Sequence, residues 1–219
     1  MKLNDGSNHS PHHPDDPHCA LQPLYISMVG RLIYEFGASE GWETEIIAMM
    51  QEDRGAVLGS GSNGTALGSK VVGGALSQIK DTETRELFNA LAVAAEDVPV
   101  PMAALELIWC SHKAVRPPLA KIERMWLRKR AFELLDLNLL LGESTTGIFM
   151  HDVVRDYARS LLSPVELLQS QRKFVRLLVD TAPEDGWDPT KTDEKLQLFV
   201  AKSLRPLMLE MCAEHPSKF

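Results

Sequence analysis

Between residues 76 and 181 the apolar residues recur three and four apart. Prolines divide that run into separate helices, and its period changes where Leu137-Asn-Leu-Leu-Leu141 and Ile148-Phe149-Met150 flank the polar turn Gly142-Glu-Ser-Thr-Thr-Gly147. Three- and four-residue spacing marks one face of an α-helix, and two apolar runs around a glycine-bounded polar turn mark a β-hairpin. A chain written this way is confined to helices packed on helices with one short hairpin near 137–150. An aromatic content of only 6%, with abundant Leu and Ala, leans the same way.

The chain divides by composition. Residues 1–18, rich in His, Pro, Asp and Asn, read as a disordered tail. His9, His12, His13, His18 and Cys19 have metal-ligating chemistry, but no rigid element holds them, so no metal site is expected. Residues 19–53 read as a helical segment of two helices, 20–36 and 42–53, punctuated by Gly37 and Gly41. Residues 54–75, rich in Gly and Ser, read as a flexible linker. Gly59-x-Gly61-x-x-Gly64 matches the dinucleotide fingerprint, but no strand precedes it, and Gly68-Ser69-Lys70 does not complete a Walker A loop. No phosphate loop is expected there.

Residues 76–162 follow the order of a winged-helix domain, three helices and then a hairpin. Asp81 or Thr82 caps the first helix, which carries Leu87, Phe88 and Leu91. Pro101 opens the second, with Met102, Leu105, Ile108 and Trp109 as its apolar face. Pro117-Pro118 open the third, in which Ile122, Met125, Phe132 and Leu135 make a stripe interrupted by Arg128 and Lys129, and Met125 and Trp126 read as core anchors. A helix over 151–162 should turn Val154, Tyr157, Ala158 and Leu161 inward. Residues 163–219 form a C-terminal helical region, begun by the capping box Ser163-Pro-Val-Glu166 and continuing to about 181, with a last helix over about 193–214. The fold class is therefore mainly α: a helical segment, a winged-helix domain with one short β-hairpin, and C-terminal helices.

Charge and cysteine usage narrow the function classes. The net charge of −7 argues against wholesale nucleic-acid binding, yet residues 112–130 hold seven Lys or Arg and one acid, a local balance of +6. Three scattered cysteines, Cys19, Cys110 and Cys212, form no CxxC pair and suit a reducing compartment. With no apolar leader and no apolar run long enough to span a bilayer, the expectation is a cytoplasmic protein without a membrane partner.

Four segments fall in a fixed order: Cys19-Ala-Leu-Gln-Pro23-Leu-Tyr-Ile; Leu87-Phe88 through Glu96-Asp97-Val-Pro-Val-Pro101 to Leu105 and Trp109; Leu135-Asp-Leu-Asn-Leu-Leu; and Phe149-Met150-His151-Asp152-Val-Val-Arg155-Asp156-Tyr-Ala158. Together they resemble the ARC helical and winged-helix part of the NB-ARC family of STAND-type signal-transduction NTPases, which includes plant disease-resistance proteins and apoptosome scaffolds. The last segment is similar to the family's Met-His-Asp motif. The resemblance implies a nucleotide-dependent signalling switch, with roles in signal transduction and the defence response. It implies that His151 contacts the ADP β-phosphate, that Pro23 packs on the adenine, and that Met150 and Asp152 support the motif, Asp152 by capping the helix it begins. Leu21 and Gln22 depart from the family's Gly-Leu-Pro segment.

The 219 residues contain no Walker A lysine, Walker B acids or arginine sensor. The expectation is therefore no catalytic residue and no enzyme activity. ADP or ATP would be bound only together with a nucleotide-binding domain of the same or a partner chain, and the C-terminal helices would bind other proteins. Two alternatives stay open. The basic run Lys113, Arg116, Lys121, Arg124, Arg128, Lys129 and Arg130 suits a DNA-binding winged-helix regulator, whose third helix enters the major groove. A helical protein-interaction adaptor is the other.

Overall fold

A computed structural model describes residues 23–36, 64–95, 98–181 and 194–203, together with residues 41, 44, 47 and 48. The expected tail over 1–18 lies outside these residues, as do most of the expected helix 42–53 and the first part of the linker. Helix α1 (Pro23–Phe36) starts on a proline, which has no N–H to leave unpaired in a first turn. Its Leu24 and Met28, one turn apart, are buried. It packs on α2 (Gly64–Ser77).

Helix α2 corrects the linker expectation over residues 64–75. Gly68, Gly73 and Gly74 weaken it as an isolated helix, so tertiary packing has to hold it. Val71 and Val72 are fully buried, and α2 lies against both α1 and α6. Gly73 is part of that contact, because a Cβ there would come within 2.9 Å of the Tyr157 hydroxyl. The composition that reads as flexible is what lets two helices approach closely.

Helix α3 (Thr82–Ala90) begins at Asp81, whose carboxylate accepts the Glu83 N–H at 3.3 Å, and runs on into a 3-10 turn, Leu91–Val93. Pro101 precedes α4 (Met102–Lys113), which is buried along most of its length from Ala104 to Cys110. Helix α5 (Lys121–Asp136) starts where Glu123 accepts the Ala120 N–H at 2.8 Å, and Glu106 of α4 holds the incoming chain through the Leu119 N–H at 2.6 Å. Its inward face is Leu127, Ala131 and Leu134, packed towards α3 and α4. Of the expected stripe Leu135 packs against the core, but Ile122, Met125 and Phe132 are exposed, and Trp126 is no core anchor. Two apolar stripes share this helix at helical spacing, and spacing alone cannot say which one meets the core.

The hairpin is β1 (Leu141–Glu143) paired antiparallel with β2 (Gly147–Phe149), with Gly142 opposite Ile148. It begins later than expected. Leu137 ends α5, Asn138 takes the left-handed conformation at φ 55°, and the Leu139 and Leu140 N–H groups return to the Leu134 carbonyl at 3.0 and 3.2 Å. Asn tolerates that conformation, so the leucine run closes a helix with buried side chains. Val100 adds a bridge on the far side of β2, exchanging hydrogen bonds with Ile148 at 2.7 and 3.0 Å. Helix, bridging residue, two helices and hairpin is the connectivity of a winged helix.

Helix α6 (Asp152–Ser160) follows β2 and packs on α2, α3 and the 3-10 turn. Val154, Arg155 and Ala158 point inward, while Leu161, expected inward, is exposed. Helix α7 (Pro164–Asp180) starts at the reciprocal pair Ser163 and Glu166: the Ser163 N–H donates to the Glu166 carboxylate at 2.8 Å, and the Glu166 N–H donates to the Ser163 hydroxyl at 3.3 Å. It packs on α4. Its Phe174 meets Phe199 of the helical stretch 194–203 at 6.2 Å between ring centroids. Both rings are buried, and each contributes about 1.5–3 kcal/mol over an exposed ring.

Candidate functional site

The Met150-His151-Asp152 segment is the joint between the hairpin and α6. Phe149 ends β2, Met150 packs against the core, and His151 takes extended backbone angles as the residue before the first helical turn. The His151 carbonyl accepts the Arg155 N–H at 2.9 Å, closing that turn. The imidazole makes no capping bond to the helix. Its Nδ1 is buried and meets no hydrogen-bond partner. Buried polar atoms are nearly always matched; His151 Nδ1 is one of several exceptions among the described residues, with Gln78 Nε2, Asn89 Oδ1 and Ser203 Oγ. The same end of α6 carries the positive pole of the helix dipole.

Asp152 is exposed and is the first helical residue, so the cap position belongs to His151 and not to Asp152. What Asp152 contributes there is a negative charge in the first turn. Pro23 stands at the head of α1, which reaches α6 through α2. The Pro23 side chain lies outside the described residues.

Two arginines of α6 stand behind the joint: Arg155, which the sequence offers only as part of the motif string, and Arg159, which the sequence reading missed. Arg155 is buried, with its Nη2 3.8 Å from Asp156. It lines a small cavity with Leu91, Val98, Val100, Ile148 and Met150. That cavity has room for about one water molecule, so a nucleotide would have to meet His151 from outside it. Arg159 donates to the Ala92 carbonyl at 3.1 Å and the Ala94 carbonyl at 3.4 Å, tying α6 to the end of the 3-10 turn. Their place four apart, beside Val154 and Ala158, is the signal that could have marked them.

The basic run splits in two. Lys113 pairs with Glu86 and lies 3.8 Å from Glu83, while Arg130 pairs with Glu83 and reaches Asp81 at 3.2 Å. Both also lie against the Trp109 ring, at 4.8 and 5.8 Å from its centroid. These two cations therefore hold α4 and α5 to the acids around the start of α3. Arg116, Lys121, Arg124, Arg128 and Lys129 stay exposed. The buried Thr84 hydroxyl sits 2.8 Å from Asp81 and 2.9 Å from Glu133, and can donate to one at a time. It and the Arg130 guanidinium hold the Asp81 carboxyl below its usual range. His112 stacks on Trp109 at 5.9 Å, and the water lost on that side holds its pKa below the ordinary value, against the pull of Glu86. Burial pushes the Cys110 thiol up to about 11, with Glu106 and Glu123 adding to the shift, so it stays protonated and inert.

Among the described residues no group of three or more His, Cys, Asp or Glu could hold a metal ion, and no helix is long and apolar enough to cross a membrane. The histidine-rich residues 9–19 lie outside the description. No protein-family model matches the chain, and no match is found among curated proteins.

Proposed function

We propose that this chain is the regulatory part of a nucleotide-dependent signalling switch of the STAND class. Residues 76–162 close on a nucleotide-binding domain, of the same protein or a partner, with ADP between them. The reading implies a cytoplasmic protein that carries out no chemistry itself. The observation that supports it is the His151 ring, half-buried at the head of α6 with Nδ1 unmatched and no capping bond to satisfy it. Nδ1 itself is shut off from solvent, so a phosphate oxygen would accept from the ring's other nitrogen, and the helix N-terminus adds a favourable field. Met150 fixes the ring's backbone against the core, and Asp152 keeps the helix start in place. Pro23 is proposed as the adenine contact on the resemblance alone.

A charge-assisted hydrogen bond of this kind contributes about 1.5–3 kcal/mol. A ligand shifts a switch only by its difference in affinity for the two states. His151→Ala, tested with the nucleotide-binding domain present, should weaken ADP retention roughly ten- to hundred-fold and raise signalling. Unchanged ADP affinity and signalling would remove His151 from the switch. The chain alone should show no ATP turnover above buffer in a phosphate-release assay.

A further inference from the structure

We propose that the outward face of α5 is a docking surface for an acidic amphipathic helix of a partner protein. Ile122, Met125 and Phe132 are 54%, 54% and 48% exposed, and Trp126 beside them is 44% exposed. On a helix these positions make one outward stripe about 15 Å long. Four large apolar side chains gathered on one face are a contact surface and not scattered exposure. The Leu127, Ala131 and Leu134 side already packs inward, so the outward stripe is surplus to the fold.

Charge identifies the occupant. Lys129 lies within the stripe, Lys121 and Arg128 edge it and Arg124 lies further round the helix; among the described residues none of them forms an ion pair. The two inner cations of the run, Lys113 and Arg130, are matched by acids of α3 and its cap. The outer four remain as a basic island in a chain of net charge −7. An acidic partner is drawn to that island and repelled by the rest of the surface, which fixes where it lands. A second copy docked by two-fold symmetry would set island against island. A nucleic-acid duplex matches the cations but not the apolar centre, and the hairpin turn carries Glu143 and no Lys or Arg of its own, the one cation bonded to it among the described residues being Lys195 on the Thr145 carbonyl. A helix with an apolar seam and acidic flanks matches both parts. The inference uses no part of the His151 site.

The test is anisotropy of labelled synthetic helices with the full chain. One peptide of about 14 residues, long enough to cover the stripe, carries Leu at three- and four-residue spacing with Glu on its flanks. A second carries Lys in place of Glu. A duplex DNA is the third probe. The acidic peptide should bind at least roughly ten times tighter than the basic one, weaken as salt rises, and lose about tenfold or more with Met125→Ser/Phe132→Ser. Arg128→Glu should weaken it as well. Thermal melts of the variants should match the parent, because all these side chains are exposed; if the double variant melts early, Trp126→Ser alone takes its place. Equal binding of both peptides, no binding, or affinity indifferent to the substitutions would overturn the proposal. Duplex binding that Arg124→Glu abolishes, without peptide binding, would assign the face to nucleic acid instead.

Discussion

Single residues here are held by backbone angle as much as by side chain. Gly147 has φ 111°, and a Cβ on it would come 2.9 Å from the Pro99 Cβ. Gly147→Ala should therefore cost about 1–3 kcal/mol of folding stability. Gly30 lies in α1 with nothing within 4 Å of a built Cβ. Gly30→Ala should raise stability by about 0.4–1 kcal/mol, because alanine gives up less freedom on folding. Urea titrations of the two variants test this, and midpoints moving the same way would contradict it. Gly147 was legible in the sequence as the closing residue of a polar turn. Gly73 was not, because its role depends on a tyrosine from a helix far along the chain. The Met150-His151-Asp152 joint could be found from its string, but the unmatched Nδ1 could not, because burial of one ring atom is decided by tertiary neighbours.

Helix starts follow local chemistry, and there the sequence speaks most directly. Ser163 and Glu166 cap α7 reciprocally, so Ser163→Ala should cost about 0.5–2 kcal/mol. His151 occupies the same position on α6 but gives that helix no side-chain bond. His151→Ala should leave the melting temperature close to the parent's while Ser163→Ala lowers it, a comparison made by calorimetry on the two variants. A larger loss at His151 would mean that the ring holds the fold rather than waiting for a ligand. Elements announced by a cap or a proline, α3, α4 and α7, were legible for the same reason. The elements that were misread needed a partner to decide them. Helix α2 exists through burial of Val71 and Val72, α5 chose one of two apolar stripes, and Leu137–Leu140 closed a helix instead of opening a strand.

Among the described residues, three groups besides the fully exposed Glu166 have values displaced from the ordinary ones, and each makes stability depend on pH. The His112 value lies below its ordinary 6.5, so the unfolded chain takes up a proton first. That contribution to stability is complete above 6.5 and is lost as pH falls towards the folded value. The Asp81 carboxyl, held below 3.8, acts with the same sign: its contribution is present above 3.8 and disappears as pH drops through the folded value. Cys110 acts the other way, since the unfolded thiol ionises near 9.0 and the folded one near about 11, so stability declines as pH rises between them. Melting temperature against pH should show a plateau between 6.5 and 9.0 with a fall on either side. His112→Gln should flatten the first acid step, and an unchanged step would clear His112 of it. The Val100 and Ile148 bridge has a consequence for synthesis. A ribosome releases Val100 long before residue 148 exists. Until then its amide and carbonyl have no strand to meet. A product that stops short of residue 148 leaves one amide and one carbonyl of Val100 unmatched, and Pro99 and Pro101 on either side, which have no N–H, keep that segment from recruiting a neighbouring chain as a strand.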